Sequence, residues 1–197
     1  MSEPAKPASA IKRFGAFLRN GPRAIKQRGY DAFHRRETGA PVWKYSEITP
    51  QLFVGGQHSR QGYAEMREFG ISAIVNMREE RYSDVERGIG GERHLHLPTV
   101  DHTPPSVIDL MRGVKFISEE ISRDDKAKVY IHCAAGCGRA PTMAAAYLVS
   151  KGDAPDQAWR RIKNSRPFIN PTSMQKRAVQ QFAAAWADRL DPGSCQN

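Results

Sequence analysis

Cys133 and Arg139 stand six positions apart with Gly136 and Gly138 between them, in the run KVYIHCAAGCGRAPT from Lys128 to Thr142. That set of residues suits the capture of a phosphate ester beside a nucleophile. Glycines can take positive φ, so Gly136 and Gly138 would let successive N–H groups turn inward around an anion. Arg139 can grip two phosphate oxygens in a bidentate fork, which a lysine cannot reproduce. The same field favours the thiolate of Cys133, the form that attacks. His132 could hold the loop by bonding a backbone carbonyl, and Ala134, Ala135 and Cys137 complete it as small residues. Cleaving an ester also needs an acid for the leaving oxygen. In HLHLPTVDHTPPS, Asp101 is the candidate, in a loop bounded by Pro98 and Pro104-Pro105; equally, it is a turn residue of the kind common near proline.

The elements around these residues are read from periodicity. Apolar Val129, Tyr130 and Ile131 predict a strand that ends at the cysteine, and an Ala- and Met-rich helix follows from Arg139 to about Ser150. Such a loop would close the helix N-terminus over the anion, adding free N–H groups and a partial positive charge. Ile71–Asn76 reads as a buried strand and His94–Leu97 as an alternating one. Tyr63–Phe69 reads as a short helix ended by Gly70, and residues 79–91 as a charged loop. Ser106 is expected to cap a helix carrying Val107, Leu110, Met111, Val114, Ile117 and Ile121 on one stripe. Helices over 154–163 and from Asn170-Pro171 to about Arg189 follow. Strands alternating with helices give an α/β fold with a single central sheet flanked by helices, the loop lying at a strand's carboxyl end.

Composition narrows the setting. The chain has 197 residues and a formal net charge of +9. Nine of its 30 Lys/Arg and two of its 21 Asp/Glu lie in residues 1–36, so +7 sits there and +2 over the rest. We therefore divide it into a basic N-terminal arm (1–41), a catalytic domain (42–190) and a tail (191–197). The arm is either solvated and partly disordered or laid on an anionic membrane surface, since Ile11, Phe14, Phe17, Leu18, Ile25, Tyr30 and Phe33 interleave its charges. Nucleic acid is disfavoured as a partner, because the charge lies outside the folded motif. No apolar run reaches the length of a membrane span, and no secretory core is seen. Three cysteines (133, 137, 195) suit a reducing compartment, so a cytoplasmic protein is expected, peripheral to a membrane if the arm docks there. Cys137 is a small loop residue or the partner of Cys133 in a reversible disulfide. His94, His96 and His102 lack a completing ligand, so neither metal nor other cofactor is expected.

With these motifs in place, the chain from about Trp43 to Trp186 resembles the dual-specificity branch of the cysteine-based protein tyrosine phosphatase superfamily. ITPQLFVGG (Ile48–Gly56) is similar to its first strand and GISAIVNMREE (Gly70–Glu80) to its second. HLPTVDHTPPS matches its general-acid loop, HCAAGCGR its HCxxGxxR phosphate loop, and RPFINP (Arg166–Pro171) its late loop. The resemblance implies a metal-independent hydrolase in which Cys133 forms a phosphocysteine, Arg139 binds phosphate and Asp101 acts as acid and then base. It also implies a phosphoprotein as first substrate. A phospholipid of the phosphatidylglycerophosphate type comes second, on LPTVDHTPPS and the basic arm. A phosphoglucan follows, on the glucan-phosphatase-like form of the loop. Ala140 departs from the family, which places Ser or Thr after the arginine to assist thiolate departure. A phosphate-binding pseudophosphatase is the contrary reading.

Overall fold

Proline cannot donate to a sheet ladder, and Pro50 interrupts the segment Ile48–Gly56 that reads as one strand. In the computed structural model, which describes residues 21–79, 83–91 and 93–190, the chain turns there instead. β1 (Glu47–Thr49) and β2 (Leu52–Gly55) pair antiparallel, and the Thr49 hydroxyl accepts from the N–H groups of Gln51 and Leu52 to close the turn. The remaining strands are β3 (Ile71–Asn76), β4 (His94–His96) and β5 (Lys128–His132). They join β2 in parallel, giving the order β1-β2-β5-β3-β4. This is the single sheet flanked by helices that the periodicity predicts.

Alternation along the central strands feeds two cores. Leu52, Val54, Ala73, Val75, Val129 and Ile131 face one side, where they meet the helices α3 (Val107–Arg123), α4 (Arg139–Ser150), α5 (Pro155–Ser165) and α6 (Ser173–Leu190). Phe53, Ile74 and Tyr130 face the other side with Met66 of α2 (Arg60–Glu68), and Trp43, Tyr63 and Phe69 pack against them. Every residue of α4 from Arg139 to Val149 is buried. Its run Ala144-Ala145-Ala146 lets strands and three helices approach from all sides.

Local capping explains where boundaries differ from expectation. α2 begins at Arg60, three residues before the periodic stripe, because the Ser59 hydroxyl accepts from Gly62 N–H. α3 starts as expected, with Ser106 accepting from Asp109 N–H. α6 does not start at Asn170-Pro171. Thr172 and Gln175 exchange side-chain-to-backbone hydrogen bonds at 2.9 and 3.1 Å, a reciprocal capping box that sets the helix start at Ser173.

Part of the basic arm is helical. Residues 21–38 form α1 (Gly21–Thr38), whose Asp31 and Ala24 are buried. Asp31 accepts from Arg166 at 3.1 Å and from Arg35 at 3.2 Å, tying this helix to the body of the domain. Residues 1–20, the tail 191–197 and with it Cys195 lie outside the described residues. Breaking a buried pair leaves an uncompensated charge, so Asp31→Ala is expected to lower unfolding stability by about 3–5 kcal/mol. Urea denaturation of the full chain reads this as a reduced midpoint at constant m value.

Candidate active site

β5 delivers Cys133 to the carboxyl edge of the sheet, and six residues later α4 begins. Cys133 is 3% exposed, and its sulfur accepts from the Gly136 N–H at 3.3 Å. Gly136 has φ +66°, and a Cβ there would lie 2.4 Å from the Gly55 carbonyl carbon, so conformation and space both require glycine. Gly138 corrects the expectation of positive φ: it has φ −131°. A Cβ there would meet the end of the Gln175 side chain, its amide oxygen at 3.0 Å. Gly138 caps α4 without a side chain, leaving first-turn N–H groups for an incoming anion.

Arg139 is buried and aimed across the loop. It donates to Thr99 O at 2.9 Å and pairs with Asp101 Oδ1 at 3.0 Å, while its Nε has no hydrogen-bond partner among the described residues. Asp101 itself is over half exposed. Its loop is held in place by His102, whose φ of +65° is uncommon outside glycine, and by Gln175 donating to Thr103 O at 3.0 Å. Sulfur nucleophile, guanidinium and carboxylate thus converge from three elements. Ala140 is fully buried, and the Thr142 hydroxyl donates to Gly138 O at 2.8 Å, so it is engaged away from the cysteine.

Two supports escaped the sequence reading. Arg166 is fully buried and donates to Gly136 O (2.7 Å), Ala135 O (3.1 Å) and Tyr45 O (3.1 Å) as well as pairing with Asp31. Its signal was the RPFINP motif, taken only as a loop. Behind the cysteine, His132 Nε2 bonds Asp84 Oδ2 at 2.5 Å and His132 Nδ1 lies 3.4 Å from Cys133 O. Asp84 gave no signal, being one acid in a charged loop. The histidines considered for metal are not brought together as a set: His94 faces Asp84 at 3.8 Å, His96 bonds Arg78 O, and His102 is exposed. Asn170 uses its N–H on Cys137 O at 2.7 Å.

A parallel α/β sheet with a cysteine–arginine anion loop and a carboxylate poised over it defines a cysteine-dependent phosphatase class, and comparison with known proteins agrees. Residues 52–153 match the family described as "Polymorphic toxin system, DSP-PTPase phosphatase". "Phosphatidylglycerophosphatase and protein-tyrosine phosphatase 1" of Homo sapiens is 31% identical over 147 residues, 70% of this chain and 72% of the relative. "Phosphatidylglycerophosphate phosphatase PTPMT2" of Arabidopsis thaliana is 24% identical over 144 residues, 71% of this chain. That alignment spans 62% of the plant relative's own length. The solved structure of PTPMT1 in complex with PI(5)P shares the fold, with a TM-score of 0.67 at 24% identity over 73% of this chain and 97% of that one. The chain belongs to the dual-specificity family of cysteine-based protein tyrosine phosphatases.

His58, beside this network, donates from Nε2 to Ile89 O (2.8 Å) and packs edge-on to His132. Burial pushes its ring from 6.5 down to about 4, and the neighbouring His132 adds to the effect. The unfolded chain therefore takes up a proton between pH 6.5 and 4 that the folded one refuses, so stability falls as pH drops through that window. The contribution is about 3 kcal/mol. His58→Gln should make this fall shallower in urea unfolding measured from pH 7 to pH 4.

Proposed function

We propose that this chain hydrolyses phosphomonoesters through a phosphocysteine. The observation that carries this reading is the Arg139–Asp101 pair at 3.0 Å above a buried cysteine in a glycine-shaped loop. The Cys133 thiolate attacks phosphorus, the P–O ester bond breaks, and Asp101 gives its proton to the leaving oxygen. A bound dianion competes with Asp101 for Arg139 and keeps that carboxyl protonated by like-charge repulsion. The unpartnered Arg139 Nε and the loop N–H groups take up the charge of the equatorial oxygens. In the second half, Asp101 accepts a proton from water, the water oxygen attacks phosphorus, and the P–S bond breaks to return thiolate and release inorganic phosphate. Ala140 offers no hydroxyl to the departing sulfur, and the Gly136 N–H at 3.3 Å serves it instead.

A buffer containing EDTA and an aryl phosphate tests the chemistry. Cys133→Ser should abolish turnover. Asp101→Asn should slow esters of poor leaving groups by about 10²–10⁴-fold and spare those whose leaving oxygen needs little protonation. Equal losses across leaving groups would reduce Asp101 to a loop-shaping residue. Phosphate binding without any turnover would establish the pseudophosphatase instead.

For substrate, we favour a phospholipid headgroup monoester of the phosphatidylglycerophosphate type, handled at a membrane surface. Support comes from the named activities of the human and plant relatives. It comes also from α1, which exposes Arg23, Lys26, Arg28 and Arg36 with Tyr30 and Phe33 while its Asp31 grips the phosphate-loop support Arg166. No helix among the described residues is long and apolar enough to cross a membrane, so contact through α1 would be peripheral. Phosphoprotein, placed first from sequence, remains the second reading because the human relative's name also carries protein-tyrosine phosphatase. The paired substitution Lys26→Glu with Phe33→Ser should cut hydrolysis in anionic vesicles about tenfold and leave a soluble aryl phosphate unaffected. Unchanged vesicle turnover would remove α1 as the docking face, and turnover of phosphopeptides alone would end the lipid reading.

A further inference from the structure

We infer that Asp84 is a positioning residue for the nucleophile: its buried carboxylate holds the His132 ring charged and directed at the Cys133 carbonyl, behind the phosphate loop. This rests on the phosphocysteine reading and extends it to a residue outside the matched motifs. Asp84 Oδ2 meets His132 Nε2 at 2.5 Å with both side chains fully buried, and His132 Nδ1 faces the Cys133 carbonyl at 3.4 Å. A carboxylate and a carbonyl only accept. A ring with an acceptor at each end satisfies both when both nitrogens carry protons. The ring then places a positive charge on the residue next to the nucleophile, and an opposite charge nearby favours thiolate. Such a buried cation needs a counter-charge, and Asp84 is the carboxylate in contact with it.

The surroundings keep Asp84 in that role. From the loop after β2, Gln57 donates to Asp84 Oδ1 at 3.0 Å, and the His58 ring lies T-shaped to His132 at 5.0 Å. From β4, His94 Nε2 is 3.8 Å from Asp84 Oδ2, and on β5 the Tyr130 ring stacks on His132 at 6.0 Å. Asn76 of β3 is the register partner of His132, and Arg87 follows in the same turn as Asp84. Burial alone would push the Asp84 carboxyl up, but hydrogen bonds from His132 and Gln57, with the His94 ring close by, outweigh it and hold the group well below the ordinary range. A bound ion is the rival account, since His58, Asp84 and His132 offer ligand atoms within 4.8 Å of one another. Ligands of one tetrahedral zinc stand about 3.3 Å apart. Asp84 and His132 meet at 2.5 Å, a direct hydrogen bond shorter than that spacing, and metal analysis separates the two accounts.

The test is the pH dependence of iodoacetate alkylation at Cys133, followed on its own peptide by mass spectrometry in the full chain. Asp84→Asn should raise the alkylation midpoint by about one pH unit, which is about tenfold less thiolate below the midpoint. His132→Asn should raise it similarly, and the double variant should add nothing further. An unchanged or lowered midpoint overturns the inference, because removing a negative charge while the ring stayed charged would favour thiolate. If Asp84→Asn does not fold, ¹⁵N spectra of the wild-type histidines decide. Two protonated nitrogens on His132 at pH 7.5 support the inference, and a neutral ring overturns it. Stoichiometric metal in the purified protein overturns it in favour of an ion site. Alkylation needs no turnover, so variants that show these shifts beside a wild-type chain that cleaves no phosphomonoester sink the phosphatase reading and leave the role of Asp84 standing.

Discussion

A loop that gives its N–H groups to an anion must turn its carbonyls toward the protein, and buried carbonyls need donors. Here each is met from a different direction. Ala134 O accepts from Gln57 N–H at 3.1 Å and Cys137 O from Asn170 N–H at 2.7 Å. Ala135 O and Gly136 O both accept from Arg166, and Gly138 O from the N–H and hydroxyl of Thr142. The phosphate loop is thus fixed by the segment after β2, the late loop and α4 together. Its shape depends on residues up to about 80 positions away in sequence.

Arg166 shows how that requirement spreads. Backbone carbonyls can accept its hydrogen bonds but cannot neutralise its charge, and at full burial the guanidinium needs a carboxylate. Asp31 supplies it from α1, a helix whose mean hydropathy would not bring it to the core unaided. One buried carboxylate therefore converts a basic segment into part of the catalytic body. The Phe168 ring, 4.4 Å from the Arg166 guanidinium carbon, covers its face and limits exchange with water.

How much of this was legible follows from the range of each interaction. The strand–loop–helix unit around Cys133 is written in consecutive residues, so β5, the loop and α4 appear at their expected places. β3 and the Ser106 cap are equally local. The β1–β2 hairpin was missed because Pro50 sits inside an apolar run, and the α6 start was missed because Asn170-Pro171 mimics a cap that Thr172 and Gln175 make. Gly138 reads as a glycine of positive φ and has φ −131°, a value that depends on how the loop meets α4. Asp84 and Asp31 carry no local pattern at all, and Arg166 stands in a motif that reads only as a loop. Their partners lie 48 and 135 positions away, and an acid among many charged residues shows its importance only through the burial that folding imposes.

Three carboxylates now surround one loop, each facing a cation, and burial separates their roles. Asp31 faces Arg166 and Asp84 faces His132, both at 2% side-chain exposure or less, so neither can exchange a proton with substrate or water. They serve as counter-charges, Asp31 to the buried guanidinium and Asp84, by our inference, to the His132 ring. Asp101 faces Arg139 at 58% exposure and lies on a loop that a phosphate ester would meet. Its pairing can be exchanged for a bound dianion, and its proton can pass to a leaving oxygen or come from water. In the function proposed above, the same functional group serves as a strut, a counter-charge or an acid according to how much solvent reaches it. Only the third position has the access that acid–base chemistry requires.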